Sequence, residues 1–232
     1  MPRPSRQIDQ VLLASGRALY PAHGAAKLSV RTLTEHAGVN QAMFHYHFKS
    51  KDAFLETLLQ QMYETLFAAL DGTARADGPA LERLRHALRA FGGFAREHRH
   101  VVARLWMDAL GGEAVAQAFF RRNAPRHVAL LTGLLDEARR AGALRELPPL
   151  QTFVFLMGSV MMPIVFASGL FELGGAMKAL RPAFDAQVMS DAAIAQRVDL
   201  ALATIGVAPA PMPAPTPAPA RKAARSKQKG SA

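Results

Sequence analysis

Residues 29–55 read Ser-Val-Arg-Thr-Leu-Thr-Glu-His-Ala-Gly-Val-Asn-Gln-Ala-Met-Phe-His-Tyr-His-Phe-Lys-Ser-Lys-Asp-Ala-Phe-Leu, and the fold turns on this stretch. Ser29 is an N-cap residue: its hydroxyl can accept an unpaired N–H of a first helical turn. It predicts a short helix to His36 with Val30 and Leu33 facing inward. Ala37-Gly38-Val39 makes a tight turn, because glycine reaches the left-handed backbone such a turn needs. Asn40 is a second N-cap and opens a helix to about Phe48. Ser50 caps a third, with Asp52 favourably placed in its first turn. Two short helices joined by a tight turn, held together by Val30, Leu33 and Val39, are a helix-turn-helix candidate spanning 29–48.

The second helix of that pair presents Asn40, Gln41, Ala42, Met43, His45 and Tyr46 outward. Asn and Gln side chains can pair with adenine in the major groove, and Ala or Met can meet a thymine methyl. Ser29, Arg31, His45, Tyr46, Lys49 and Lys51 are placed to reach phosphates and set the register. The base-reading set, Asn40 to Met43, carries no charge, so affinity must come largely from the flanking phosphate contacts.

The charge distribution agrees. The chain carries +10 overall. Residues 1–52 hold seven Lys/Arg against three acids, residues 208–232 hold five with no acid, and the segment between them is close to neutral. Basic ends on a neutral body point to a polyanion, either nucleic acid or an anionic membrane surface.

Working outward, the pattern is helical throughout. Ile8, Val11, Leu12 and Leu19 follow helical spacing, which Tyr20-Pro21 is expected to end, with Gly24 in a loop. Phe54, Leu55, Leu58, Leu59, Met62, Leu66, Phe67 and Leu70 form an apolar stripe of five or six turns, closed by Asp71-Gly72 and Asp77-Gly78-Pro79. Further helices are expected at about 79–97, 100–110, 113–141, 148–173 and 190–206. Gly-Gly pairs at 92–93, 111–112 and 174–175 mark helix ends or close backbone contacts. Pro125 and Pro163 are expected to kink their helices. No alternation long enough for a strand and no internal repeat is found. After Val207 an Ala-Pro run predicts an extended spacer without a core, followed by basic residues Arg221 to Lys229. The tail reads equally as a tethered phosphate contact or as a solubilising segment. The fold class is therefore all-α with about nine helices. The expected domains are 1–50 for DNA binding, 51–207 for a larger helical domain, and 208–232 for a disordered basic tail.

The run from Ser29 to Leu55 resembles the N-terminal domain of TetR-family regulators, which ends in a "Leu-Tyr-x-His-Phe-x-Ser-Lys-Glu-x-Leu"-like signature. Phe44-His45-Tyr46-His47-Phe48-Lys49-Ser50-Lys51-Asp52 matches most of it. The resemblance covers about residues 5–60; the remainder agrees in length and helical character. His45 stands where a phosphate-contacting tyrosine is usual, and Tyr46 follows it, so both are carried as candidates. The resemblance implies three N-terminal helices on DNA and a fourth linking them to a larger domain for effector binding and dimerisation. It further implies a homodimer on a near-palindromic operator, acting as a repressor released by a small molecule. Two recognition helices must then sit about one DNA turn, roughly 34–36 Å, apart. A ligand favouring another spacing lowers DNA affinity by its differential binding.

For the effector, the expected lining residues are Met62, Phe67, Phe91, Phe94, Trp106, Met107, Phe120, Met161, Met162 and Phe166. Ordinary core packing competes with that reading at each of them. An apolar lining implies a hydrophobic effector. Thr152 to Leu170 is uncharged for 19 residues, long enough for a membrane span. Pro163, Ser159, Ser168, two glycines and the lack of basic flanks favour a helix buried on all sides instead. With Ile194, Val198, Ala201, Leu202 and Ile205 it is expected to build a dimer interface of helices near 148–173 and 190–206. A membrane-associated protein and an architectural DNA binder without sequence preference remain as alternatives.

An enzyme is not expected. The chain has no cysteine, which excludes disulfides, thiolate zinc sites and cysteine nucleophiles. No catalytic or phosphate-binding motif is found, and no cofactor or metal is expected. His45 and His47, two apart, fall on different helix faces, and His98 and His100 sit among arginines at a helix break. The N-terminal Met-Pro-Arg-Pro-Ser-Arg-Gln has no apolar run after its basic residues, so a cytoplasmic protein is expected.

Overall fold

The computed structural model describes residues 4–171 and 176–207. Nine helices of eight residues or more appear among them: α1 (Pro4–Lys27), α2 (Val30–Ala37), α3 (Gln41–Phe48), α4 (Lys51–Ala74), α5 (Ala80–Glu97), α6 (Arg99–Leu110), α7 (Ala114–Arg140), α8 (Pro149–Val165) and α9 (Asp191–Ile205). Short helical turns connect α8 to α9. The one β-type pairing among the described residues is an isolated bridge between Leu144 and Gly206. The all-α reading thus holds. The expected tail at 208–232 and the Gly174-Gly175 pair lie outside the described residues.

The caps read from sequence act as caps. Ser29 Oγ accepts the Thr32 N–H at 3.0 Å, Asn40 Oδ1 accepts the Met43 N–H at 2.9 Å, and Ser50 Oγ accepts the Ala53 N–H at 3.1 Å. Gly38 ends α2 in the left-handed region (φ 66°, ψ 29°). There an L side chain would cost about 1–2 kcal/mol.

Several boundaries differ from expectation. α1 does not stop at Tyr20-Pro21. Pro21 lies inside it, and the helical path breaks only at Gly24 (φ 64°, ψ −178°) before a last turn to Lys27. The break sits where a partner holds it, as described below. α4 runs through Asp71-Gly72 to Ala74, supported by an i,i+4 ion pair of Arg75 with Asp71 at 2.9 Å. At 24 residues α4 is about 36 Å long. Pro125 and Pro163 both lie inside helices, α7 and α8. The Gly92-Gly93 pair lies within α5, and a Cβ on Gly92 would stand 2.7 Å from Ile194 Cγ2 and 3.2 Å from Val160 Cγ1. Glycine there lets α5, α8 and α9 pack closely.

α4 joins the two ends of the molecule. Its first half contributes Phe54, Leu55, Leu58, Leu59 and Met62 to a core shared with Leu12, Leu13, Leu33, Phe44 and Phe48 of α1–α3. Its second half contributes Leu66 and Leu70 to a second core with α5, α7, α8 and α9. Val101, Leu105 and Ala116, from α6 and α7, also enter the first core. The two halves are therefore packed against each other rather than strung on a linker. Ile194, Val198, Ala201, Leu202 and Ile205 are buried inside this subunit, not on an outward face. That corrects their expected place in a dimer interface: the inward stripe of α9 is consumed by its own core. Among the described residues no helix is long and apolar enough to cross a membrane.

Candidate DNA-binding face and effector cavity

α3 is held from below by an aromatic cluster. Phe44 and Phe48 are buried, and their rings lie 5.4 and 5.0 Å from that of Phe54 on α4. With that face anchored, Gln41, Ala42, His45 and Tyr46 are exposed and Met43 is half-buried. Tyr46 is 74% exposed, and its hydroxyl makes no hydrogen bond among the described residues. His45 is differently engaged: its ring Nδ1 meets the Lys49 carbonyl at 3.2 Å, while the Lys49 N–H donates to the His45 carbonyl at 3.2 Å. Lys49 has the one positive φ (58°) of a non-glycine residue among the described residues. The His45–Lys49 exchange closes the end of α3 and aims Lys49 outward.

The remaining sequence candidates divide in the same way. Ser29 and Asn40 use their side-chain oxygens as caps, so Asn40 keeps only its amide N–H₂ for another partner. Arg31 is exposed and paired with Glu35 at 2.7 Å. Lys51 turns back: its ammonium donates to the carbonyls of Ala25 (2.8 Å) and Ala26 (3.4 Å) at the end of α1. Its placement corrects the expectation of an open phosphate-reaching side chain. Orphan carbonyls at a helix end attract a cation.

Between α4, α5, α6, α7 and α8 lie two adjoining cavities, of about 110 and about 430 Å³. Met62 and Phe94 line the smaller, Met162 and Phe166 the larger, and Phe91, Trp106, Phe120 and Met161 line both. Two expected lining residues do not. Phe67 points to the outside of α4, under the Arg126 guanidinium at 4.0 Å, and Met107 is 58% exposed on the opposite face of α6. Both belong to apolar runs whose helical phase carries them past the cavity. Periodicity missed the polar lining residues Tyr63, Asn123 and His127, since it registers only apolar positions. Tyr63 Oη donates to the Asn123 carbonyl at 2.7 Å, and burial pushes its phenol up to about 12. Burial also holds the His127 imidazole below the ordinary histidine range. Among the lining residues of both cavities there is no Asp, Glu, Lys or Arg.

A buried carboxylate joins the two regions, and sequence reading missed it. Asp108 on α6 is 2% exposed. Its Oδ2 accepts from Tyr20 Oη at 2.8 Å and from the Ala25 N–H at 2.7 Å, and its Oδ1 lies 2.7 Å from Arg104 Nη2. Burial, with the carboxylate beside it, pushes the Tyr20 phenol well above its usual range. The Arg104 guanidinium occupies the space a Cβ on Gly24 would take. The end of α1 is thus fastened to α6, whose other face carries Val101, Val102, Leu105 and Trp106 into the cavity. Tyr20, Gly24 and Asp108 are 84 or more residues apart for the outer pairs in sequence, so no local pattern announces them.

Residues 12–58 match the family model described as bacterial regulatory proteins, tetR family. The N-terminal part of the chain is thus similar to the TetR family. A nucleoid occlusion factor SlmA of Alteromonas mediterranea is 31% identical over 104 residues, 45% of this chain and 53% of that one. The chain thus spans about half the length of the curated relatives it matches. A tetR-family regulator from Rhodococcus RHA1 superposes with a TM-score of 0.68 at 14% identity, covering 88% of this chain and 99% of that one. FadR from Bacillus subtilis, solved in complex with stearoyl-CoA, gives 0.61 at 13% identity, covering 78% and 98%. At these identities the structures establish a shared fold.

Proposed function

We propose that this chain is a TetR-family, sequence-specific DNA-binding transcription regulator, a dimeric repressor released from its operator by a small apolar effector. One observation carries the reading. α3 is capped at both ends, rests on Phe44 and Phe48, and turns uncharged Gln41 and Ala42 outward beside exposed Tyr46 and Lys49. That is a surface for base edges flanked by groups for phosphates. Tyr46, with its free hydroxyl, takes the phosphate role, and His45 serves as the closure of α3. Residues 1–50 form the DNA-binding part and 51–207 the effector-binding and dimerising part, within the cytoplasm.

Dimerisation is proposed through α8 and α9. Leu150, Val154, Phe155, Met162 and Phe166 at or just past α8, and Leu200 on α9, are exposed apolar side chains. Exposed apolar side chains along these helices favour a partner, although Val154, Met162 and Phe166 also line the larger cavity. The charge-free lining of the two cavities supports an apolar effector. An effector pressing on Trp106 and Leu105 would move α6, and the Asp108 joint would carry that motion to α1.

The test is selection of duplexes from a random pool by the full chain. The reading expects an enriched two-fold symmetric sequence with half-sites about one helical turn apart. A pool that stays random, with uniform protection on footprinting, would refute it in favour of a binder without sequence preference.

A further inference from the structure

The polar atoms of the cavity differ in how far they are already used. The Asn123 amide donates to Gln60 Oε1 (3.0 Å) and the Phe119 carbonyl (3.1 Å) and accepts from Gln60 Nε2 (3.2 Å). The Tyr63 proton goes to the Asn123 carbonyl. His127 Nδ1 lies 3.4 Å from Tyr63 Oη. The His127 ring also hydrogen-bonds the Asn123 carbonyl one turn back, the same oxygen that takes the Tyr63 proton. A neutral ring gives that bond from an N–H, and Nδ1, beside Tyr63 Oη, is the nitrogen placed to give it. A neutral imidazole protonated on Nδ1 carries a bare lone pair on Nε2. Nε2 has no partner among the described residues, and His127 lines both cavities. The Trp106 indole, the remaining polar group on the lining, is a donor only.

No cation is on hand to receive an anion. Arg126, the neighbour of His127 in sequence, pairs with Glu64 at 2.6 and 3.1 Å and lies over the outer rings of Tyr63 and Phe67. A carboxylate buried here would stay uncompensated.

From this we infer that the effector is an uncharged, mostly apolar molecule with a hydroxyl end that donates its hydrogen bond to His127 Nε2. The inference rests on the effector reading above and names the ligand class for that same cavity. The hydrocarbon supplies most of the affinity by leaving water, and the hydroxyl fixes its direction in the cavity.

Trp106 is the sole tryptophan of the chain and lines both cavities, so its emission reports on occupancy. The full chain is titrated at pH 7.5 with decan-1-ol, with its methyl ether and with decanoate. The alcohol is expected to bind about fivefold more tightly than the ether, the worth of one neutral hydrogen bond. Decanoate is expected to bind about tenfold or more weakly than the alcohol, because its charge is buried without a partner. In His127→Leu the alcohol falls to the affinity of the ether. Equal binding of alcohol and ether, or tighter binding of decanoate, overturns the hydroxyl inference while leaving an apolar effector cavity in place. No saturable response to any of the three overturns the effector reading together with this one. The wild-type series decides the matter even if the variant does not fold.

Discussion

Replacing Asp108 by Asn keeps the volume of the buried joint and removes its charge. Oδ2 accepts from Tyr20 and from the Ala25 N–H, both as charge-assisted bonds. Making both neutral forfeits about 1 kcal/mol each, the difference between charged and neutral hydrogen bonds. The Arg104 side chain is 32% exposed and recovers water in part. Its lost ion pair therefore costs about 1 kcal/mol rather than the 3–5 kcal/mol of a fully buried pair. The sum is about 3 kcal/mol, or a drop in melting temperature of roughly 6–12 °C for a chain of this size. Chemical and thermal denaturation of the purified full chain measure it. Tyr20→Phe removes one bond and leaves Asp108 with its others, so it costs about 2 kcal/mol. A loss under about 0.5 kcal/mol in Asp108→Asn, or a larger loss in Tyr20→Phe than in Asp108→Asn, would refute the joint as drawn.

Further outcomes follow from the same geometry. Gly24→Ala places a side chain at φ 64° and a Cβ against Arg104; it costs about 2 kcal/mol or more and weakens effector release of DNA more than DNA binding itself, read by anisotropy with and without effector. Lys51→Met lowers the unfolding free energy by about 1 kcal/mol, read from chemical denaturation, with little change in the salt slope of DNA affinity, whereas Lys49→Ala lowers that slope by about one. For His127, burial sets the folded pKa below the ordinary 6.5, so the unfolded chain takes up the proton first as pH falls. Its contribution is intact above about pH 6.5 and is lost as pH drops from there toward the depressed folded value. Between pH 7.5 and 5.5 the melting temperature of wild type therefore falls more than that of His127→Leu; parallel decreases would contradict the buried neutral imidazole.

The N-terminal fold was legible because its signals are local. Ser29, Asn40 and Ser50 each sit three residues before the N–H they cap, and Gly38 stands alone where the chain must turn. The apolar stripes likewise placed α5, α6, α7 and α9 within a few residues, whereas the helix expected over 148–173 ends at Val165, and the uncharged run beyond it is taken up by a separate short turn. What local signals miss is long-range partnership. Pro21 reads as a stop, yet the break falls at Gly24 because Arg104 and Asp108, some eighty residues on, hold the chain there. Lys51 reads as one more basic residue of a DNA-facing cluster until the end of α1 is seen beneath it. In the cavity, hydrophobic spacing found Met62, Phe91, Trp106 and Phe120. It also swept in Phe67 and Met107, which share the stripes and not the space. The polar trio Tyr63, Asn123 and His127 is invisible to it, since each interrupts an apolar face and reads alone as a surface residue.

The most direct test of DNA reading by α3 is the affinity of a Gln41→Ala, Met43→Ala double variant for the selected duplex and for a scrambled duplex. Both are measured by anisotropy across a range of salt. The account predicts that the variant binds the two duplexes almost alike, with the salt slope of wild type preserved, because base contacts are lost and phosphate contacts kept. A variant that still prefers the selected duplex as strongly as wild type does would contradict it.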